Sequence, residues 1–170
     1  MGYGFPAAIG AKLGCPEKEV FDIAGDGSFQ MNIQELATAV VNEVAVKVIV
    51  LNNGVLGMVR QWQDLFYEKR FSSTTLHRIP DFVKVAEAYG ALGLRATESS
   101  QLEAVLVEAI ESEVMTVVDV IISPDEKVSP MVPAGASLSE ILELEAAGPS
   151  REAQRSYAGS SASEILELEG

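Results

Sequence analysis

The sequence has few of the residues from which many catalytic and metal sites are built. Its 170 residues include one cysteine, one histidine and one tryptophan. Because Cys15 is alone, an internal disulfide and a cysteine-built metal site are both excluded. The sequence also has no long apolar run and no signal peptide, so we expect no membrane partner. The expected setting is cytoplasmic, or an organelle stroma or matrix if the source is eukaryotic.

Basic residues are scarce as well. There are 12 Lys and Arg against 25 Asp and Glu, which gives a net charge of −13. This charge disfavours a nucleic-acid partner, because phosphate backbones are attracted by positive surfaces. A diphosphate ligand would meet the same repulsion, so its binding would require a bridging cation and local N–H donors.

The order of apolar segments predicts an α/β fold with a parallel sheet and helices on both faces. Short apolar runs rich in β-branched residues indicate buried strands, and 3–4-residue spacing of apolar residues indicates helices. The predicted strands cover residues 20–24, 46–51, 92–96 and 116–122. The predicted helices cover residues 6–14, from Ser28 or Asn32 to 41, 58–66, 81–89 and 100–113.

The composition changes after Pro124, where proline and glycine become frequent. The heptapeptide SEILELE then occurs twice, at residues 139–145 and 163–169. One duplicated heptapeptide is too little for a repeat fold, which needs at least three packed units. We expect a domain over residues 1–133 and an acidic tail over residues 134–170 that is disordered in part. The two copies are either surface helices or partner-binding peptides.

The most informative motif joins Gly25-Asp26-Gly27 to Asn52-Asn53, with 24 residues between them. Each half directly follows a predicted strand, so both are expected at the carboxyl edge of the sheet, where open α/β sheets bind ligands. A carboxylate and an amide oxygen beside a glycine turn suit Mg²⁺ carrying a phosphorylated cofactor. Taken singly, each half reads more readily as an ordinary turn or loop. Their joint placement favours the site.

The motif resembles the metal-binding signature of thiamine-diphosphate enzymes. The longer segments MGYGFPAAIGAKLG, DIAGDGSFQMNIQELATAV, LNNGVLGMVRQWQ and PDFVKVAEAYGALGLR narrow the resemblance further. Together they resemble the large catalytic subunit of acetolactate synthase, also called acetohydroxyacid synthase, over residues 1–132. The resembling part is that family's C-terminal thiamine-diphosphate-binding domain. The family carries further sequence upstream, so we expect this domain to be incomplete at its N-terminus.

The resemblance implies a role for each matching position. It makes Asp26 and Asn53 side-chain ligands of Mg²⁺, and Val55 a ligand through its backbone carbonyl. The positions implied to contact the cofactor are Met1, Gly25, Gly27, Ser28, Met31 and Asn53, with Met1 and Met31 lining the thiamine rings. Met58 and Trp62 match positions at the substrate channel. Without the resemblance, their i,i+4 spacing reads as a core face of a helix.

The implied chemistry is decarboxylation of pyruvate and carboligation with pyruvate or 2-ketobutyrate. Its products, 2-acetolactate and 2-aceto-2-hydroxybutyrate, are precursors of branched-chain amino acids. The glutamate that activates the cofactor belongs to a domain that this chain lacks, so no catalytic residue is expected here and the chain alone should be inactive. The full family enzyme also binds FAD, for which no site is identified in this chain. The resemblance further implies a homo-oligomer of catalytic subunits, with a regulatory subunit as a possible partner.

Two other interpretations stay open. The chain is either a non-catalytic assembly or binding protein derived from this domain, or part of another thiamine-diphosphate decarboxylase or carboligase. The segment MVRQWQ favours acetolactate synthase over the last of these. The single histidine, His77, is expected to be a solvated loop residue rather than a catalytic base.

Overall fold

The computed structural model describes residues 1–76 and 79–144. The chain divides into two compact units, Met1–Ile122 and Ser123–Gly170. The predicted domain boundary at residue 133 stays a prediction. His77 and the second SEILELE copy lie outside the described residues.

The first unit is built on a four-stranded sheet in which every described pairing is parallel. Its strands are β1 Phe21–Gly25, β2 Lys47–Asn52, β3 Leu92–Ala96 and β4 Thr116–Ile121, in the order β1-β2-β4-β3. The four predicted strands are confirmed to within one residue at each end. Gly25 lies opposite Leu51 in the register, so β1 and β2 end at the same edge of the sheet.

Among the described residues, six α-helices accompany the sheet. They are α1 Gly4–Gly14, α2 Asp26–Gln30, α3 Glu35–Val41, α4 Gly57–Phe66, α5 Phe82–Tyr89 and α6 Ser99–Glu111. The end signals of α5 are confirmed. The Asp81 carboxylate accepts hydrogen bonds from the amides of Val83 and Lys84, and Gly90 ends the helix in the left-handed conformation.

The predicted helix that begins at Ser28 or Asn32 is wrong in its start and in its continuity. The chain enters α2 directly from β1, with Gly25 as the N-cap and Asp26 as the first helical residue. Turns separate α2 from α3, which begins only at Glu35. The Ser28 and Asn32 side chains bond to Gly2 instead of capping a helix.

Helices cover both faces of the sheet, as the sequence predicts. On one face, the rings of Phe5, Phe29 and Phe82 pack in a row over valines of β2 and β4, with centroid distances of 5.5 and 5.7 Å. On the other face, Ala109 of α6 packs against Ile49 and Val118. Apolar burial on both sides explains why β2 and β4 read as continuous apolar runs.

The described part of the second unit contains residues 139–144 of the first SEILELE copy, and these residues do not form an α-helix. A short 3₁₀ turn, Leu138–Glu140, is closed by a capping box between Ser137 and Glu140. Leu142 then pairs with Met131 through two backbone hydrogen bonds of 2.9 and 2.7 Å. The extended pairing at Leu142 ends the turn, so the surface-helix interpretation is wrong for this copy. None of the described helices has the length and apolarity needed to cross a membrane.

Candidate metal and diphosphate site

Asp26 is the buried centre of the predicted site. It is 2 % exposed and stands where β1 passes into α2. Its Oδ1 accepts a hydrogen bond from the Gly27 amide at 2.7 Å, and its Oδ2 accepts one from the Gly54 amide at 2.7 Å. The second bond joins the end of β1 to the turn that follows β2. The structure therefore brings Asp26 into contact with Gly54, the residue that directly follows Asn52-Asn53.

Asn53 and Val55 lie in the turn that Asp26 contacts. The Asn53 Oδ1 accepts a hydrogen bond from the Val55 amide at 3.1 Å. Val55 also forms an isolated antiparallel bridge with Thr75, whose two hydrogen bonds use the Gly54 carbonyl and the Leu56 amide. In such a pair, the backbone groups of the central residue point away from the partner segment. The Val55 carbonyl is thus left out of the bridge that fixes its position.

The electrostatics around Asp26 favour a cation. Burial raises the pKa of Asp26, and the nearby Asp119 carboxylate raises it further, while the amides of Gly27 and Gly54 lower it in part. Among the described residues, no lysine or arginine contributes to this shift. A divalent cation would supply the missing positive charge, and oxygen atoms of a carboxylate, an amide and a carbonyl suit Mg²⁺.

Asp26 is not part of a larger cluster of metal-binding side chains in the described part of the chain. Within residues 1–76 and 79–144, no three His, Cys, Asp or Glu side chains form a group that could hold a metal. A magnesium ion here would therefore complete its octahedron with amide, carbonyl, water and phosphate oxygens, which is the usual arrangement for Mg²⁺ bound with a phosphorylated ligand. The residues present fit a metal that arrives with a diphosphate.

Ser28 and Asn32 hold the N-terminal segment against α2. The Ser28 Oγ accepts a hydrogen bond from the Gly2 amide at 3.0 Å, and the Asn32 Nδ2 donates to the Gly2 carbonyl. Gly2 has φ +76°, a conformation that favours glycine. A serine hydroxyl that accepts one bond keeps its own proton for donation. Ser28 can therefore hold Gly2 and still donate to a phosphate oxygen.

Gly27 lies beneath apolar side chains. A Cβ at this position would stand 2.9 Å from Leu56 Cδ2 and 3.6 Å from Met1 Cε. At Gly25, by contrast, a Cβ would meet no atom within 4 Å. Met31 lies against the N-terminal segment, since a Cβ on Gly2 would stand 3.0 Å from the Met31 Cβ. Met1 thus lies beside the glycine turn, and Met31 lies beside Gly2 of the N-terminal segment.

Met58 and Trp62 lie on α4, and the structure does not place them in the core. Their exposed fractions are 42 and 48 %, and the buried residue of this helix is Gln61. The core alternative for their i,i+4 spacing is therefore wrong. A surface pocket of about 500 Å³ lies along the same helix. It is lined by Val59, Trp62, Gln63, Tyr67 and Arg70.

A polar cluster around the buried Asp119 was missed at the level of the sequence. Asp119 accepts hydrogen bonds from Asn52 at 2.9 Å and from Arg95 at 3.0 Å, and Arg95 also donates to Asp81 at 2.5 Å. Burial raises the pKa of Asp119, and the bonds from Asn52 and Arg95 oppose that rise. One signal was present. Asp119 is the only charged residue in the apolar run TVVDVII, and a buried strand rarely carries a charge without a partner.

The comparison with protein families agrees with this geometry. Residues 1–120 match the thiamine pyrophosphate enzymes, in their C-terminal TPP binding domain. The chain belongs to this family. The matched residues include both halves of the Gly-Asp-Gly and Asn-Asn motif and all four strands but the last residue of β4.

The relatives of this thiamine pyrophosphate enzyme domain include acetolactate synthases. The chain is 51 % identical over 146 residues to the acetolactate synthase of Mycobacterium bovis, covering 83 % of this chain and 24 % of that protein. It is 47 % identical over 143 residues to the acetolactate synthase isozyme 2 large subunit of Escherichia coli, covering 84 % of this chain and 26 % of that protein. The chain thus spans about a quarter of the length of these relatives.

A solved structure supports the same fold. The thiamine diphosphate-dependent 4-hydroxybenzoylformate decarboxylase of Rhodococcus jostii RHA1 matches with a TM-score of 0.66 and 30 % identity. The match covers 72 % of this chain and 23 % of that one. The chain resembles the acetolactate synthases more closely in sequence than it resembles this decarboxylase.

Proposed function

We propose that this chain is the metal- and diphosphate-binding part of an acetolactate synthase. Asp26 and Asn53 would hold Mg²⁺ through their side chains, and Val55 would hold it through its carbonyl. Ser28 and the glycines around Asp26 would receive the diphosphate. The contact that supports the proposal is the hydrogen bond from the Gly54 amide to Asp26, because it joins Asp26 to the turn that carries Asn53 and Val55.

The residues of the chain would bind and orient, rather than react. Thiamine diphosphate, when bound, supplies the nucleophilic carbon and the electron sink for decarboxylation and carboligation. Met1 and Met31 would pack beside its rings, and Trp62 with Met58 would border the path of the 2-keto acids. Pyruvate and 2-ketobutyrate are the proposed substrates. No described residue is assigned as a catalytic acid or base, so we expect the chain alone to form no acetolactate.

A chimeric enzyme tests this proposal. Residues 1–132 would replace the matching stretch of the Escherichia coli isozyme 2 large subunit, and acetolactate formation from pyruvate would be measured. We expect activity that disappears with Asp26→Ala and persists with Lys84→Met, since Lys84 is an exposed residue of α5. A folded chimera that binds its subunit partners but forms no acetolactate would contradict the proposal.

A second candidate is favoured by the surface of α4. Apolar side chains are about half exposed along this helix, namely Met58, Val59, Trp62 and Phe66. Contiguous exposed apolar surface marks interaction sites more often than not. A non-catalytic binding role would use this surface to pair with a catalytic subunit. Gel filtration with a full-length relative separates the two candidates, because a stable complex that adds no turnover favours the binding role.

A further inference from the structure

Asp119 connects three strands at the edge of the sheet that carries the metal site. It lies on β4, opposite Val50 of β2 and Arg95 of β3, and it is 1 % exposed. Its Oδ1 accepts from the Asn52 Nδ2 at 2.9 Å, and its Oδ2 accepts from the Arg95 Nε at 3.0 Å. Each carboxylate oxygen is thus committed to a different neighbouring strand.

The bond to Asn52 restrains the turn that carries the proposed ligands. Asn52 is held by its side chain to Asp119, and its carbonyl accepts a backbone hydrogen bond from Ile122 at 2.9 Å. Asn53 follows directly, and the next residue, Gly54, donates its amide to the Asp26 carboxylate at 2.7 Å. Only two peptide bonds therefore separate Asn52, which Asp119 holds, from Gly54, whose amide donates to Asp26.

Stability alone does not account for an aspartate at this position. The neighbouring residues of β4 are valines, and a buried ion pair is often no more stabilising than apolar residues of similar volume. A charged group here does, however, hold an amide side chain in one orientation, which a valine cannot do. Buried networks whose members are all bonded fix a single local geometry.

We propose that Asp119 is a positioning residue for the metal site, which acts through Asn52 to fix the turn of Asn53, Gly54 and Val55 against Asp26. Arg95 supports it by holding the second carboxylate oxygen. That Asp119 fixes this turn does not depend on the proposed function, whereas its effect on cofactor binding does. The proposal is therefore tested by one measurement that requires no cofactor and by one that does.

The first measurement is amide hydrogen exchange of the full chain, read at Gly54. Asp119→Asn keeps the size of the side chain but replaces one of its two acceptor oxygens by an NH₂ donor, so it cannot accept from Asn52 with one oxygen and from Arg95 with the other. We expect the Gly54 amide to exchange faster, by about tenfold, because its bond to Asp26 is no longer held in place. Asp81→Asn is the matched control, since it removes one charge from the other partner of Arg95 and should leave Gly54 unchanged.

A double substitution tests the pairing itself. Asn52→Asp with Asp119→Asn exchanges the donor and the acceptor, and it keeps both the hydrogen bond and the net charge. We expect it to return Gly54 exchange to within about threefold of the original chain, as coupled pairs recover in such cycles. If Asp119→Asn does not fold, Asn52→Ala removes the same bond from the other side and carries the same expectation.

The second measurement is the Mg²⁺-dependent affinity for thiamine diphosphate. Asp119→Asn should weaken it about tenfold and the double substitution should restore it. Absence of binding by the original chain would refute the proposed function and leave the exchange result to decide on Asp119. Equal Gly54 exchange in Asp119→Asn and the original chain would overturn the proposal, as would equal acceleration by Asp81→Asn or a double variant that fails to restore exchange.

Discussion

At the scale of single residues, Asp22 and Gly4 form the tightest contact between the sheet and α1. Asp22 faces the core from β1, and within the described structure its Oδ2 has no hydrogen-bond partner. A Cβ on Gly4 would stand only 2.2 Å from the Asp22 Oδ1. Glycine at the start of α1 therefore lets the helix approach a buried carboxylate that has little room to move.

The first prediction compares two glycines of the same helix. Gly4→Ala should destabilise the chain by about 1–3 kcal/mol, because the new methyl group overlaps a buried side chain. Gly10→Ala should stabilise it by about 0.5–1 kcal/mol, since a Cβ there meets no atom within 4 Å and alanine favours the helix. Urea denaturation measures both. Equal stability of the two variants would contradict the contact.

The second prediction concerns the pH dependence that Asp22 brings. Burial raises the pKa of Asp22, so the folded chain takes up a proton more readily than the unfolded chain. The ionised group therefore lowers stability as pH rises through the raised pKa. Asp22→Asn should be more stable than the original chain at pH 7, by on the order of 1 kcal/mol. The difference should shrink as pH falls through the raised pKa and should be lost below about 4, where the folded and unfolded chains both carry the proton.

The pKa of Asp81 is shifted in the opposite direction from that of Asp22, so Asp81 serves as the comparison. Burial acts to raise the pKa of Asp81, but hydrogen bonds from Arg95 and the Lys84 amide outweigh it and leave the pKa lowered. Its contribution to stability is present above the ordinary pKa and disappears as pH falls through the lowered one. Asp81→Asn should therefore be less stable at pH 7. Parallel pH profiles for the two variants would refute both assignments.

At the scale of elements, Lys47 joins the start of β2 to the end of α6. Its side chain is buried, and its Nζ donates to the carbonyls of Ser112 and Val114, the latter at 3.0 Å. These carbonyls lie where α6 ends and the chain turns toward β4. Burial lowers the pKa of Lys47. Its hydrogen bonds nevertheless satisfy carbonyl groups near the end of α6, which the apolar side chains around them cannot do.

The third prediction follows from that connection. Lys47→Met keeps the long stem but removes the donors, so two carbonyls lose a partner and stability should fall by about 1–3 kcal/mol. Lys84→Met is the control, because Lys84 is mostly exposed and its contact with Asp81 is at the surface. That change should stay within about 0.5 kcal/mol. Thermal or urea unfolding that shows no difference between the variants would count against the role of Lys47.

Apolar patterns predicted the helices and strands well where the tertiary contacts favour the same structure as the local sequence. β2 and β4 are buried on both faces, so their β-branched runs were unambiguous, and Asp81 with Gly90 marked both ends of α5. The break between α2 and α3 was not predictable, because Ser28 and Asn32 bond to Gly2, which is far away in sequence. The exposure of α4 was also hidden, since its apolar spacing is the same as that of a core helix.

The candidate site was predictable in part for a similar reason. Gly-Asp-Gly and Asn-Asn each follow a strand, and parallel strands place such ends at one edge. The bond from the Gly54 amide to Asp26 shows that the two strand ends lie at the same edge of the sheet, with Asn53 next to Gly54 in the chain. Nothing in the local sequence paired Asp119 with Asn52, because that bond joins residues 67 apart. The ligand roles of Asp26, Asn53 and Val55 remain proposals.

At the scale of the whole molecule, charge decides what form of ligand the site can accept. The chain carries a net charge of −13, and Asp26 with Asp119 adds negative potential at the sheet edge. A free diphosphate would be repelled by this field. Mg²⁺ bound to the diphosphate would neutralise part of its charge and would be coordinated by the oxygen atoms of Asp26 and Asn53, so most of that repulsion would be removed. Binding should therefore depend on the metal more strongly than on any single amide donor.

Calorimetric titration of thiamine diphosphate into the full chain, with and without Mg²⁺, tests the central claim most directly. We predict binding that is detectable with millimolar Mg²⁺ and absent when the metal is chelated. Asp26→Asn should abolish the metal dependence, whereas Gly10→Ala should leave it intact. Absence of Mg²⁺-dependent binding at millimolar concentrations, or binding that Asp26→Asn leaves unchanged, would contradict the account.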